Sequence, residues 1–286
     1  GPPHDPYGAP EEYMRQYDPA KLKLRPNWRA GERVPGRPEI AAYYAAVTAI
    51  DRQVGRFAAA IDNAGWRDDT VLLFASDHGD MLGSQGERLK RKPWEESILV
   101  PGILRFPRLV KRGRVDDALF THVDFVPTLL GLCGVDPPPG LQGLDFTPRI
   151  AGRRGPNPES AFFQIFGPFA GDGTAGGWRG VRTDRYVYAR YQDKPWVLYD
   201  LKQDPYQQDN LAGQPAAGKL QARMESLLEG WMKTSGDSWS YNWRHPVEDA
   251  GRLYRHRTFY TVEEYLEWAK QNPELDAAQP AAGKAR

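Results

Sequence analysis

A short apolar run feeding straight into an Asp-His pair is the first place in this sequence where chemistry could sit. Val71-Leu72-Leu73-Phe74-Ala75 leads into Ser76-Asp77-His78-Gly79-Asp80. A carboxylate oxygen and an imidazole nitrogen are both metal donors, and Gly79 lets the chain turn sharply. In open α/β sheets, ligands bind at the carboxyl ends of the strands. The bland alternative is that Asp77 caps the following turn and His78 is an ordinary loop histidine. The pair alone does not choose between them. Two other segments carry chemistry-bearing residues. Leu89-Lys90-Arg91-Lys92-Pro93-Trp94-Glu95-Glu96-Ser97 is either a solvated charge run or a loop that aims one lysine, a compact cation, at an oxyanion. His4 stands in Pro2-Pro3-His4-Asp5-Pro6-Tyr7, where prolines could fix an imidazole for general acid work near neutral pH. An idle loop histidine is the competing reading.

These residues need elements to position them. Residues 1–38 are rich in Pro, Gly and charge and read as a loop over a surface. From Glu39 onward, Ile40, Tyr44, Val47, Ile50, Val54, Phe57 and Ile61 recur at helical spacing, with Gly65 as the stop. The run Val71–Ala75 predicts a strand buried on both faces, as in a parallel α/β sheet. A second such strand is expected at Ile98–Phe106, interrupted by Pro101-Gly102, followed by a short helix around Asp124–Cys133 with Pro127 in its first turn. After Pro137-Pro138-Pro139-Gly140 the texture changes. Ala161–Phe166, Gly180–Tyr191 and Trp196–Leu201 read as strands, with Tyr186 and Tyr188 on one face and Val187 and Ala189 on the other. Leu220, Met224, Leu227 and Trp231 mark a covering helix. Thr261-Val262-Glu263-Glu264 opens one more helix as a capping box, and the tail from Gln279 is expected to be disordered.

Composition narrows the function classes. The 286 residues are 40% hydrophobic and 26% charged, with 38 basic against 37 acidic side chains. No single-sign field is available for a nucleic acid or an anionic membrane face. No apolar run approaches the roughly 18 residues that span a bilayer. The 29 glycines and 25 prolines argue for many loops rather than a helical bundle. Cys133 is the one cysteine, so no internal disulfide or zinc-thiolate cluster can form. At the end of an apolar helix it reads as a buried structural thiol.

Taken together, six spaced motifs resemble the sulfatase family of the alkaline phosphatase superfamily. They are Pro2–Tyr7; Ala49–Gly55 on the long helix; Ser76-Asp77-His78-Gly79-Asp80-Met81-Leu82-Gly83; Lys90 with Pro93-Trp94-Glu95-Glu96-Ser97 and Val100-Pro101; Asp124-Phe125-Val126-Pro127-Thr128-Leu129-Leu130; and Leu198-Tyr199-Asp200-Leu201 with Asp204-Pro205 and Asn210-Leu211. The resemblance implies an alkaline-phosphatase-like α/β sandwich with a mostly parallel sheet, incomplete here, plus a small antiparallel sheet-and-helix subdomain at the carboxy-terminal end. The expected division is 1–155 for the α/β part, 156–256 for the subdomain and 257–286 for a short helix and tail.

Residue by residue, the resemblance implies that Asp77 and His78 are metal ligands. Lys90 matches the sulfate-contacting lysine, and His4 the histidine beside the bridging ester oxygen. Arg91 and Lys92 are expected at the surface, Trp94 and Glu95 to pack and fix the loop, and Asp51 to be structural. Loops 83–89 and 167–178 are expected to line the substrate site. The implied reaction is hydrolysis of a sulfate monoester of a saccharide or small molecule. Oxygen-rich sites suit calcium, a histidine ligand suits manganese or zinc, and the resemblance favours calcium. The family's nucleophile is a formylglycine made in a Cys/Ser-x-Pro/Ala-x-Arg motif. That motif and the family's early aspartate pair are absent from this sequence and are expected upstream, so the chain alone is expected to be inactive. A periplasmic or extracellular site is implied by the resemblance alone. The alternatives are a phosphonate or phosphate ester hydrolase of the same superfamily and a non-catalytic binding protein.

Overall fold

The computed structural model describes residues 1–31, 33–165, 177–239, 267, 270 and 271. The chain divides into two compact units, Gly1–Tyr241 and Asn242–Arg286. The loop at residues 167–178 falls mostly outside the described residues, as do the capping-box helix at Thr261 and the tail from Gln279.

The amino-terminal stretch is largely loop, with a short helix α1 (Glu11–Met14). The long helix α2 (Arg37–Asn63) starts where Pro38 suits the first turn and Glu39 Oε2 accepts the Gly36 N–H at 3.0 Å. It ends at Gly65, whose φ of 75° lies in the left-handed region. Its buried face is Ile40, Ala41, Ala42, Ala45 and Ala46. The expected apolar stripe departs from this, because Val47 is 44% and Phe57 66% exposed. Small alanines let α1 approach closely, with Tyr13 buried and the Tyr17 hydroxyl 2.6 Å from Thr48 Oγ1. The second half of α2 has no such cover among the described residues. Asp51 is exposed there.

Strand β1 (Leu72–Ala75) pairs with β2 (Gly102–Arg105) in an antiparallel ladder, Leu72 opposite Arg105 and Ala75 opposite Gly102. A parallel pairing was expected; among the described residues both sheets are antiparallel. The second strand is also shorter than expected. Glu95–Ile98 forms a helical turn, α3, and Pro101 has no N–H to give a ladder. Neither strand is fully buried. Helix α4 (Phe125–Leu132) lies where expected, with Asp124 buried and accepting from Thr121 and Leu144. Cys133 at its end is exposed rather than buried, because the helix stops at Leu132 and Gly134 takes a φ of 69°. A further turn, α5 (Thr147–Ile150), packs against α4.

The second sheet is an antiparallel meander of β3 (Ala161–Ile165), β4 (Trp178–Arg182), β5 (Tyr186–Arg190) and β6 (Pro195–Asp200), covered by α6 (Gly218–Ser235). The single strand expected at Gly180–Tyr191 is two, split at Thr183, whose Oγ1 accepts the N–H groups of Arg185 and Tyr186 in a tight turn. The alternation in β5 holds. Tyr188 packs toward Met224, Leu228 and Met232 of α6, while Val187 and Ala189 face the other way. That other face buries Met81 and Trp94, which belong to the loops that carry the candidate site residues. The meander is therefore the floor under the site loops. Leu228→Ala or Met224→Ala in its core would cost about 2–5 kcal/mol.

Candidate active site

The chain leaves β1 at Ala75 and turns at once. Ser76 Oγ donates to the His78 carbonyl at 2.7 Å, and the His78 N–H donates to Asp77 Oδ1 at 3.0 Å. So Asp77 does cap its own turn, as the bland reading held. Gly79 N–H then donates to the Ser97 carbonyl at 2.9 Å. A Cβ at Gly79 would collide with the Glu96 carbonyl, so only glycine brings this turn against α3.

His78 Nδ1 lies 2.8 Å from the Gly79 carbonyl oxygen. A carbonyl only accepts, so a proton sits on Nδ1, and Nε2 is the ring nitrogen turned toward Asp77. That Nε2 is 3.3 Å from Asp77 Oδ2, whose side chain is 84% exposed. The two atoms face one another at a spacing that a shared proton or a cation would bridge. Burial pushes the Asp77 carboxyl up. The His78 charge, backbone N–H groups and Lys90 outweigh it and hold Asp77 below its ordinary value.

The proline-framed loop brings His4 to the same place. His4 Nδ1 bonds the Asp5 carbonyl at 2.9 Å and reaches the Asp5 carboxylate at 2.8 Å. Its Nε2 is 2.6 Å from Lys90 Nζ, so Lys90 donates to the free imidazole nitrogen. Tyr7 ties this loop to the turn after β1 by donating to Asp80 Oδ2 at 2.8 Å. Asp80 Oδ1 accepts the N–H groups of Leu82 and Leu89, each at 3.1 Å. Asp80 thus anchors all three loops. Burial raises its carboxyl above the usual range despite those donors. It raises the Tyr7 hydroxyl as well, with the Asp80 bond adding to it.

His4, Asp77, His78 and Lys90 line one cavity of about 280 Å³, together with Tyr43 and Asp80. The four residues singled out in the sequence are therefore assembled, although they come from three separate loops. Sequence reasoning passed over Asp80 and Tyr7 as anchors, although both lie inside quoted motifs. It missed Tyr43 on α2 and His122, whose Nε2 bonds the Ser76 carbonyl at 2.8 Å, because neither has a local pattern. Lys92, expected at the surface, is buried with its Nζ 3.5 Å from Glu87, since its loop folds back beneath itself. Trp94 packs in the core against Trp196, and Glu95 holds Arg182 through two contacts of 3.0 Å, both as expected.

As a metal centre the site offers two side-chain donors, Asp77 and His78. Among the described residues no group of three or more His, Cys, Asp or Glu side chains gathers for a metal. The donor chemistry fits one edge of a divalent-cation shell without completing it.

Comparison with known proteins bears on the family and the fold. The family described as Sulfatase matches residues 1–135. The family described as N-sulphoglucosamine sulphohydrolase, C-terminal, matches residues 83–234. An ulvan-active sulfatase from Formosa agariphila is 36% identical over 242 residues, which cover 82% of this chain and 47% of that protein. The chain spans about half the length of the curated relatives it matches. A structure from work on the metabolism of multiple glycosaminoglycans by Bacteroides thetaiotaomicron aligns with TM-score 0.74 at 30% identity, covering 84% of this chain and 53% of that one. A phosphonate monoester hydrolase from Agrobacterium radiobacter aligns with TM-score 0.72 at 23% identity, covering 82% and 55%, a likeness of fold. The alkaline-phosphatase-like α/β fold is common to these structures. With two overlapping family matches running from residue 1 to residue 234, the chain belongs to the sulfatase family.

Proposed function

We propose that this chain carries one wall of the active site of a hydrolase that cleaves sulfate monoesters of saccharides. The observation that carries the reading is the meeting of His4, Lys90, Asp77 and His78 around one cavity, with Lys90 Nζ 2.6 Å from His4 Nε2. Cleavage of the ester S–O bond leaves negative charge on the departing oxygen. His4 is suited to protonate that oxygen, and Lys90 to hold the sulfate oxygens by charge-assisted contacts. When sulfate enters, Lys90 turns from the imidazole to the anion, which frees His4 Nε2 to carry the proton it delivers.

Asp77 and His78 would hold a divalent cation, most simply calcium, with manganese as the alternative. A cation held there would supply charge to neutralise sulfate oxygens and orient a nucleophile. The nucleophile is not among these residues; a formylglycine in an adjoining segment is the reading the family supports. The ulvan activity of one relative and the glycosaminoglycan context of the aligned structure favour a sulfated saccharide over a simple aryl ester. The phosphonate hydrolase shares the fold at too low an identity to favour its substrate here.

The test is sulfate release by the natural gene product from a panel of sulfated sugars, beside matched phosphate and phosphonate esters. Preference for the sulfates, lost on chelation and restored by calcium or manganese, supports the reading. Preference for phosphonate or phosphate would replace it. The 286-residue chain alone is expected to release no sulfate from an aryl sulfate.

A further inference from the structure

The Asp77–Gly79 turn and the Lys90 loop lean on the same short backbone segment, Glu95–Ser97. Gly79 N–H donates to the Ser97 carbonyl, and the Glu96 carbonyl fills the space where a Gly79 Cβ would stand. Whatever fixes α3 therefore fixes the candidate ligands. Its first N–H, that of Glu95, is taken by Gln207 Oε1 at 2.8 Å. The Glu96 carboxylate is taken by Asn27 Nδ2 at 2.8 Å and by Arg25 Nε at 3.0 Å. Asn27 also donates to the Tyr206 carbonyl at 2.9 Å, and Gln85 Nε2 donates to the carbonyls of Tyr206 and Gln207 at 3.0 and 2.7 Å.

This polar knot is held at a cost. Asn27 and Gln207 are each 1% exposed. Gln207 sits at a φ of 54°, unusual for a residue with a side chain. Asn27 Oδ1, Glu96 Oε2 and Gln207 Nε2 are buried without a protein partner. The Glu95 N–H stays in any variant, so an apolar side chain at 207 would leave that donor without its partner. We propose that Gln207 is a positioning residue: by capping α3 from the carboxy-terminal sheet-and-helix part, it sets the places of Asp77, His78 and Lys90. Its kinetic consequence rests on the proposed reaction, whereas its structural consequence does not.

The test variant is Gln207→Met, which keeps the volume and loses the acceptor. Amide hydrogen exchange is read in the natural gene product over residues 76–82 and 89–99, with residues 186–200 as the internal control. Gln207→Met is expected to speed exchange in the first two segments and leave the third unchanged. In the active enzyme kcat/KM should fall on the order of tenfold or more in Gln207→Met. A Met variant that exchanges like the native protein overturns the proposal. If Gln207→Met also exposes residues 186–200, Gln85→Asn decides, because it shortens the contact that holds the 206–207 turn. Faster exchange confined to the first two segments supports the proposal, and native exchange overturns it. If no sulfate ester is turned over, the exchange result still stands, so the two readings fail separately.

Discussion

Lys90 and Lys92 are two residues apart, yet their side chains have opposite fates. Lys90 reaches His4 at the cavity, whereas Lys92 is buried against Glu87. In the natural gene product Lys90→Ala should lower kcat/KM for a sulfate ester by about 10²–10³, the usual loss for a pre-organised electrostatic contact. Lys92→Ala should lower the melting temperature and leave kcat/KM of the folded enzyme nearly unchanged. A crippled Lys92→Ala beside a silent Lys90→Ala would assign the loop to the wrong lysine. His4 is tested by its leaving group. If it protonates the departing oxygen, His4→Ala should hurt esters of sugar alcohols far more than esters of acidic phenols, which depart with little help. A plot of kcat/KM against leaving-group pKa should steepen; an unchanged slope would leave His4 as a sulfate contact or loop residue.

At the scale of elements, the turn after β1 is set by what glycine leaves out. Gly79→Ala places a methyl against the Glu96 carbonyl and should cost roughly 1–3 kcal/mol by overpacking. Gly55→Ala, inside α2 with open space around it, should stabilise by about 0.5–1 kcal/mol. Urea denaturation of the two variants checks both, and equal effects would contradict the contact at Gly79. Much of this level was legible beforehand: the apolar run at 71–75, the alternation in β5 and the Met224 face of α6 each follow from local periodicity. Strand partners were not, because a short apolar run says nothing of direction, and β1 and β2 proved antiparallel. Lys92 and Cys133 were misplaced for a related reason. Burial of a single side chain depends on where its loop folds back, which neighbours in sequence do not encode. The four candidate site residues were legible only through the family resemblance, and the Asp80 anchor, the Tyr43 wall and the His122 contact needed the folded chain.

Across the whole molecule, the meander links the site loops to the far end of the described chain. Arg179, fully buried in β4, pairs with Asp237 beyond α6, including a 3.1 Å contact, and lies 4.4 Å from the Trp239 ring. Burial pushes the Asp237 carboxyl up, but the Arg179 bond and charge outweigh it and hold it below the usual range. A depressed folded pKa contributes stability above the ordinary carboxylate range and loses it as the pH falls through the folded value. Asp237→Asn should therefore destabilise by about 3 kcal/mol near pH 7, by removing the carboxylate that offsets the buried Arg179 charge. Its deficit relative to the native protein should narrow as the pH drops below the carboxylate range. Denaturation curves at several pH values would show this, and a constant deficit would contradict the pair.

A double-mutant cycle between His4 and Lys90 shows whether residues from separate loops act on one sulfate ester. The measured quantity is kcat/KM for a sulfated sugar in the natural gene product, His4→Ala, Lys90→Ala and the double variant. Two groups that share a hydrogen bond and one anion should show a coupling of about 1–3 kcal/mol, the double variant losing less than the two single losses combined. Strictly additive losses, or single variants that turn over the ester as well as the native enzyme, would contradict a common site.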